Sequence, residues 1–474
     1  MRVAALLAGV VVALAACSSE PPAPPPEDLG RELAGKVTVD AIYARLQELS
    51  ELALNTKGAR ADGTPGYDAA VDYVAGALRD KGFDVQTPES DRLALTSAGK
   101  PTLTIGGRGF PVDQASLLAG TPAGGLTAET LRPENSAGCT AADYRGVNVR
   151  GALAVVDDSG CSAGDKLEVA TGRGAVGLLV VSGQGPAPAG LFPPGYYEQL
   201  KAPVAVIDEA VDAQLRRTTA PVRLVLDAKT VRVPFRNVVA QTKTGDAHHV
   251  VVAGAHLDAV SGSPGMNDNA TGVAALLETA VQLGGSPAVT NAVRFTFFGA
   301  EGAGLEGSTK YVRGLDRAGL DDIALYLDVD MLGSPNAGYF TLDGDQSGQP
   351  NPAVPRVPEG SAGIERTLAG YLNLAGVRPA DMPLGRVGDY AAFLAAGIPV
   401  GGLTTGGNQR KTEAQARLWG GRAGQPFDPN YHSPRDTIDD LDRRALSIMG
   451  PAVAFAVGTY AQSTDGVNGV PARG

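Results

Sequence analysis

The spacing of apolar residues divides the chain into three stretches. Over residues 40–55, Ile42, Leu46, Leu49 and Leu52 recur at helical spacing, and over 66–80 Val71, Val74 and Leu78 do the same, which predicts two amphipathic helices. Gly82 ends the second as a C-cap glycine does, and F-D-V-Q after it reads as a short strand. From about 90 to 231 the runs become short and β-rich, broken by Gly and Pro. Strands are predicted at 152–156 and 175–181, in A-P-V-A-V-I-D and in V-R-L-V-L-D, with one helix over 162–172. From Arg236 onward longer apolar runs alternate with helical segments. N-V-V-A-Q-T, 250–255, 293–298, 324–329 and 400–404 read as strands, and 272–283 and 441–461 as helices, the last bent at Pro451. Strands that are apolar without alternation are buried on both faces, as in a largely parallel sheet. The fold expected is therefore α/β, a mostly parallel central sheet flanked by helices and interrupted by a β-rich insertion.

The two ends of the chain read differently. Residues 1–17, M-R-V-A-A-L-L-A-G-V-V-V-A-L-A-A-C, carry one positive charge, a short apolar run and then small residues, the pattern of an export signal. L-A-A-C resembles the bacterial lipoprotein box, which implies cleavage before Cys17, a lipid on that cysteine and a protein held at the outer face of the bacterial cell membrane. The alternative is an ordinary cleaved signal with an incidental cysteine. The proline-rich stretch over 18–32 has too little apolar surface to fold and reads as a linker off the membrane. The last residues, 463–474, read as a frayed tail. In an exported chain Cys139 and Cys161 most simply form a disulfide.

At 474 residues the chain exceeds what one core usually supports, so more than one domain is expected. A net charge of -11 argues against a nucleic-acid partner, because phosphate backbones select basic surfaces. Composition leaves side-chain preference and oligomeric state open.

Candidate chemistry gathers at the ends of the buried strands, where an open α/β sheet binds its ligands. V-V-V-A-G-A-H-L-D delivers His256 and Asp258, P-G-M-N-D-N-A-T-G-V carries Asp268 into a helix, and V-R-F-T-F-F-G-A-E places Glu301 just past a strand. Asp330 follows another strand in Y-L-D-V-D-M-L-G-S-P-N, and His432 lies in N-Y-H-S. Of the four histidines, His248 and His249 fall in a polar stretch and read as solvent-facing. Nitrogen and carboxylate ligands together suit zinc, and a carboxylate can bridge two ions. The candidate ligands are His256, Asp268, Asp330 and His432. Asp258 stands behind them as support for a loop or a ligand. Glu301 is the candidate general base and Tyr431 a hydroxyl donor to a developing oxyanion.

G-A-H-L-D, N-D-N-A-T-G-V, F-F-G-A-E, D-M-L-G-S-P-N, G-I-P-V-G-G-L and Y-H-S-P-R-D-T occur in the order seen in secreted bacterial co-catalytic di-zinc aminopeptidases, which the chain resembles from about 40 to 462. These enzymes belong to the glutamate-carboxypeptidase superfamily. The resemblance implies one zinc on His256 and Asp330, a second held in part by His432, Asp268 bridging them, Glu301 as base and Tyr431 as oxyanion donor. It also implies that Arg386, in P-L-G-R-V-G-D-Y, sits near the substrate backbone, although the spacing around it differs by about one residue. Residues 150–181 resemble a protease-associated domain. The division implied is 1–17 signal, 18–32 linker, 33–89 and 232–462 peptidase domain, 90–231 insertion and 463–474 tail.

One departure bears on function. Relatives carry two adjacent glutamates after F-F-G-A, the first as base and the second as ligand to the metal shared with His432. Here the pair is Glu301-Gly302. Asp328 shares a strand face with Asp330 but lies about 7 Å further back, and Glu306 sits in the following helix, pointing elsewhere. A weakly held second zinc follows. A lesser departure is that Asn430 and Arg435 flank Tyr431 and His432 where relatives can carry a cysteine pair. The function expected is a lipid-anchored extracytoplasmic zinc aminopeptidase acting on peptides. The rivals are a catalytically impaired surface protein that binds peptides or partners, and a carboxypeptidase or aminoacylase on the same scaffold.

Overall fold

The computed structural model of the chain describes residues 28–56, 59–95, 99–183, 190–193, 195–348, 356–385 and 388–471. The signal with Cys17, most of the linker, and Arg386 lie outside the described residues.

The linker ends earlier than its composition suggests. Asp28 caps a helix, α1 (Leu29–Lys36), by accepting the N–H of Arg31, and Leu29 and Leu33 are buried. A Cβ on Gly30 would overlap Thr459, so α1 lies directly against the C-terminal helix. The two amphipathic segments form α2 (Val39–Asn55) and α3 (Pro65–Asp80), capped by Thr38 and Thr64, with Ile42, Leu46 and Leu49 on the buried face of the first.

Eight strands make the central sheet: β1 (Asp84–Gln86), β2 (Val238–Gln241), β3 (Asp246–His256), β4 (Asn291–Phe298), β5 (Ile323–Val329), β6 (Phe340–Leu342), β7 (Ala380–Met382) and β8 (Val400–Thr404). Their spatial order is β1-β2-β4-β3-β5-β8-β6-β7, and β4, β3, β5 and β8 are mutually parallel. Antiparallel strands close both sides of that block, β2 against β4 and β6 against β8. The continuous apolar runs are these central strands, buried along almost their whole length. β3 starts at Asp246, so His248 and His249 are strand residues. His248 pairs with Asp322 at 2.9 Å and His249 Nδ1 lies 3.0 Å from Asn291 Oδ1.

Helices α4 (Thr271–Leu283) and α5 (Glu306–Arg313) follow β3 and β4. The last helix, α6 (Arg443–Gln462), contains Pro451 and is long and apolar enough by composition to cross a membrane, yet it is buried in the main core with α1, α2 and α4. The C-terminal tail is packed rather than frayed over its described part. Val470 is 3% exposed, its N–H donates to the Thr464 carbonyl, and Tyr460 Oη donates to the Asn468 carbonyl. A lone apolar residue beyond the end of the helix is too weak a sequence signal to reveal that anchor.

The chain leaves the body built on the central sheet and returns through a two-stranded antiparallel ribbon, Glu89–Leu95 against Thr230–Arg236. Between them stand a five-stranded and a four-stranded sheet with their own apolar clusters. The insertion's helix, Ala163–Gly172, starts at a capping box formed by Ser162 and Asp165. At the body, the Tyr197 hydroxyl faces the buried carboxylate of Glu306, and Lys310 Nζ donates to the Asp91 carbonyl. Cys139 and Cys161 are disulfide-bonded, 22 residues apart. Closing a loop of that length removes unfolded-state entropy worth about 3 kcal/mol. Reduction, or Cys139→Ser with Cys161→Ser, should therefore lower the thermal midpoint of the insertion and leave the unfolding of the body built on the central sheet unmoved, as calorimetry with and without reductant can show.

Candidate metal centre

The parallel register sets the first part of the site. Gly254 pairs with Asp328 across β3 and β5, so His256, the last residue of β3, comes level with Asp330, the first residue after β5. Both therefore leave the sheet at its carboxyl edge, where backbone pairing ends and side chains are free to face a ligand.

Asp268 has to be brought to that edge by a loop, and three polar side chains pin it. Asn269 donates to the Val329 carbonyl (2.8 Å) and accepts from the Gly272 and Met331 N–H groups (both 3.0 Å). Asn267 accepts from Gly333 N–H (3.0 Å) and donates to Ser334 Oγ (3.1 Å) and Asp428 Oδ2 (2.6 Å). Thr271 Oγ1 donates to the Asn267 carbonyl and accepts from Leu332 N–H. N-D-N-A-T-G and D-M-L-G-S are thus two halves of one buried hydrogen-bonded unit, and each bond left unmade there would cost a desolvation penalty. Asp436 closes it from the third side, taking Asn267 N–H on Oδ1 (2.7 Å) and Asp268 N–H on Oδ2 (3.1 Å).

The result is convergence of the four candidate ligands. Asp268 Oδ1 lies 3.1 Å from His256 Nε2, and Asp268 Oδ2 lies 3.0 Å from His432 Nε2. Asp330 Oδ1 is 3.5 Å from His256 Nε2 and, though buried, has no hydrogen-bond partner among the described residues. Ligand atoms of His256, Asp268 and Asp330 all lie within 4.8 Å of one another. An orphaned buried carboxylate oxygen aimed at an imidazole nitrogen and a second carboxylate is the donor set of a divalent cation, so these three residues fit one zinc. The His256 ring is oriented from behind, its Nδ1 lying 3.0 Å from the Asp258 carbonyl. The Asp258 side chain points elsewhere, and its Oδ1 accepts the N–H of Glu301 at 3.1 Å.

Local backbone strain collects here. Ala300, Leu305, Met331 and His432 all have φ between 55° and 60°, a left-handed conformation that non-glycine residues adopt rarely. They flank Glu301, Asp330 and the second histidine, so the packing around the site is holding its side chains in place against a backbone preference. Tyr431 and His432 stack with ring centroids 3.8 Å apart.

Charge decides the protonation of each group in the metal-free protein. Burial works against a charged His256, but the close carboxylates of Asp268 and Asp330 and the charge of Glu301 prevail and raise its pKa well above the ordinary imidazole value. Burial opposes ionisation of Asp268, yet the two imidazoles hold its carboxyl below the usual range. Glu301 goes the other way. Burial pushes it well above a normal glutamate, His256 offsets part of this, and Asp389, Asp268 and Asp330 add to it. Burial, with Asp268, Asp330 and Glu301, raises Tyr431, which therefore keeps its proton.

Beside His432 the set is thinner. No third His, Cys, Asp or Glu joins His432 and Asp268 among the described residues. Gly302 is exposed, and a Cβ built on it meets only Val260 at 3.3 Å. Asp328 does not reach the gap, because it is buried against Tyr326, whose hydroxyl donates to it at 3.0 Å. Glu306 faces Tyr197 and Lys310. The residues present therefore do not complete a second protein-ligated ion.

Several parts of the site are not evident from local sequence. Asp436 lies in Y-H-S-P-R-D-T, where Tyr431 and His432 are the more chemically suggestive residues. Asp389, in V-G-D-Y, is 3% exposed with Oδ1 unpaired, and burial raises it to about 7. The two asparagines beside Asp268 do carry a signal, since amides next to a ligand are a common means of holding a buried loop. Arg60 carries none.

A buried carboxylate between two imidazoles at the carboxyl edge of a parallel sheet defines a metal-dependent hydrolase of the α/β zinc-peptidase type. Peptidase family M28 matches residues 237–457, and the PA domain matches 124–215. A probable lipoprotein aminopeptidase, LpqL, of Mycobacterium tuberculosis is 48% identical over 448 residues, 93% of this chain and 88% of its own length. An aminopeptidase of Pseudomonas aeruginosa is 36% identical over 444 residues, 89% and 81% of the two chains. The chain belongs to peptidase family M28 and carries an inserted PA domain. Solved structures share the fold. An aminopeptidase from Aneurinibacillus superposes with a TM-score of 0.68 at 24% identity over 94% of this chain and 98% of its own. A zinc aminopeptidase from Bacillus subtilis gives 0.58 at 23% over 92% and 98%.

Metal binding should respond both to the loop's supports and to protons. Replacing Asp436 with Ala frees the Asn267 and Asp268 N–H groups, so zinc affinity measured against a chromophoric chelator should fall about 10- to 100-fold. Because His256 must be neutral to bind and its metal-free pKa is raised, proton competition begins above pH 6.5, and zinc affinity should decline as pH falls through that range.

Proposed function

We propose that the chain is an exported, lipid-anchored zinc aminopeptidase that removes amino-terminal residues from peptides. The observation that carries this reading is the Asp268 carboxylate, with one oxygen on His256 and the other on His432, next to Glu301 and Tyr431. The names of the relatives in M. tuberculosis and P. aeruginosa support aminopeptidase activity, the first supports a lipid anchor on Cys17, and the B. subtilis structure supports zinc.

His256, Asp268 and Asp330 would hold the zinc, which when bound supplies Lewis acidity to water and to the scissile carbonyl. Glu301 takes a proton from the attacking water and returns it to the leaving amine. The bond from Glu301 N–H to Asp258 Oδ1 holds the backbone that carries the Glu301 side chain. Tyr431, kept protonated, donates its hydroxyl to the oxyanion of the tetrahedral intermediate.

With Gly302 in place of a ligand, a second zinc is weakly held and turnover is slower than a two-ion site would give. That feature also favours the second reading, a peptidase-fold surface protein with impaired catalysis that binds peptides. An amino-acyl anilide assay with added zinc, with and without chelator, separates them: chelator-sensitive release is expected, and none at saturating zinc would leave the binding reading. Amino-blocked peptides should not be cleaved, whereas their cleavage would point to a carboxypeptidase or aminoacylase.

Glu301→Gln should leave zinc bound but lower turnover at least about 100-fold, within the range for loss of a general base. Gly302→Glu, whose Cβ would meet only the Val260 side chain, at 3.3 Å, should raise the zinc content per chain toward two together with the rate. Metal analysis showing no change beside an unchanged rate would mean that Gly302 does not limit the site.

A further inference from the structure

Arg60, in the loop between α2 and α3, is completely buried. An arginine with no solvent is costly unless its charge is answered nearby. Its Nη2 donates to the Gly265 carbonyl at 2.6 Å, while Nε and Nη1 have no hydrogen-bond partner among the described residues. Its backbone carbonyl accepts the N–H of Ala259 at 3.2 Å. One residue thus grips both segments that build the metal centre: the strand extension carrying His256 and Asp258, and the turn that opens the Asp268 loop. Gly265 has φ +65°, and a Cβ there would come 3.0 Å from Arg60 Nη2 and 2.4 Å from the Ala259 side chain, so the guanidinium is seated on the turn itself.

The carboxylates answering the charge are Asp436, Asp258 and Asp268. Two of these are not candidate ligands but hold working parts: Asp258 takes the Glu301 N–H, and Asp436 takes the Asn267 and Asp268 N–H groups.

We propose that Arg60 is a positioning residue of the metal centre, a fixed internal cation that ties the Asp268 loop to the His256 strand and supports the two carboxylates that place Glu301 and Asp268. It touches neither substrate nor zinc. It acts through Gly265, Asp258 and Asp436.

The turnover arm of the test rests on the aminopeptidase reading, whereas the metal arm does not. Arg60→Ala, Arg60→Lys and the unaltered protein are loaded with Co2+, and the visible absorption of the bound ion, zinc affinity, kcat and KM are measured. Arg60→Ala should shift the cobalt spectrum, lower zinc affinity about tenfold or more, and reduce kcat at saturating zinc with KM changed less than about twofold. Guanidinium in the cavity should restore these properties while urea, of the same shape without the charge, should not. Arg60→Lys keeps the charge with poorer geometry and should fall between. If Arg60→Ala does not fold, Arg60→Lys decides: a cobalt spectrum and zinc affinity equal to those of the unaltered protein overturn the proposal. Equal rescue by urea and guanidinium also overturns it, because a filled void would then be sufficient. If the spectrum shifts as expected but no variant and no unaltered protein cleaves a peptide, the aminopeptidase reading fails and the placement of Arg60 stands.

Discussion

The structure depends on one carboxylate serving two imidazoles. Asp268 reaches His256 with one oxygen and His432 with the other, and these residues come from a strand end, a buried loop and a segment far along the chain. Each connection that sets Asp268 in place is polar and buried: Asn267, Asn269, Thr271 and Asp436 fix the loop through hydrogen bonds that have no water to fall back on. This is why the loop is a specific shape despite being neither helix nor strand over most of its length.

The same site concentrates negative charge in a place that excludes solvent. Asp258, Asp328, Asp389 and Asp436 are buried within a few residues or contacts of the candidate ligands. A divalent ion is the natural answer at the front, where Asp330 has an oxygen with no partner. At the back the answer is Arg60. The left-handed residues beside Glu301, Asp330 and His432 indicate that rigid packing, rather than intrinsic preference, sets these angles.

Much of this architecture is legible in the chain itself. The parallel core is visible because strands buried on both faces lose the alternation that marks a half-exposed sheet, and the four candidate ligands are visible because each follows such a strand or sits in a polar loop. What is hidden has a common cause. Arg60 and Asp389 act across space from segments whose local pattern is ordinary, and Asp436 is masked by the more chemically suggestive Tyr431 and His432. The packed tail at Val470 and the early start of α1 are hidden because one or two apolar residues among polar ones carry no period. Asp258 reads as a support, but sequence cannot say that its carbonyl holds the histidine while its side chain holds Glu301.

Gly302 makes the two halves of the centre unequal. On the His256 side three candidate ligands meet, and on the His432 side two do among the described residues. Anomalous diffraction at the zinc edge from crystals grown with limiting zinc tests this most directly. One strong peak is predicted among His256, Asp268 and Asp330, with a weaker peak or none beside His432. A full peak beside His432 with none at His256, or no peak at either position, would contradict it.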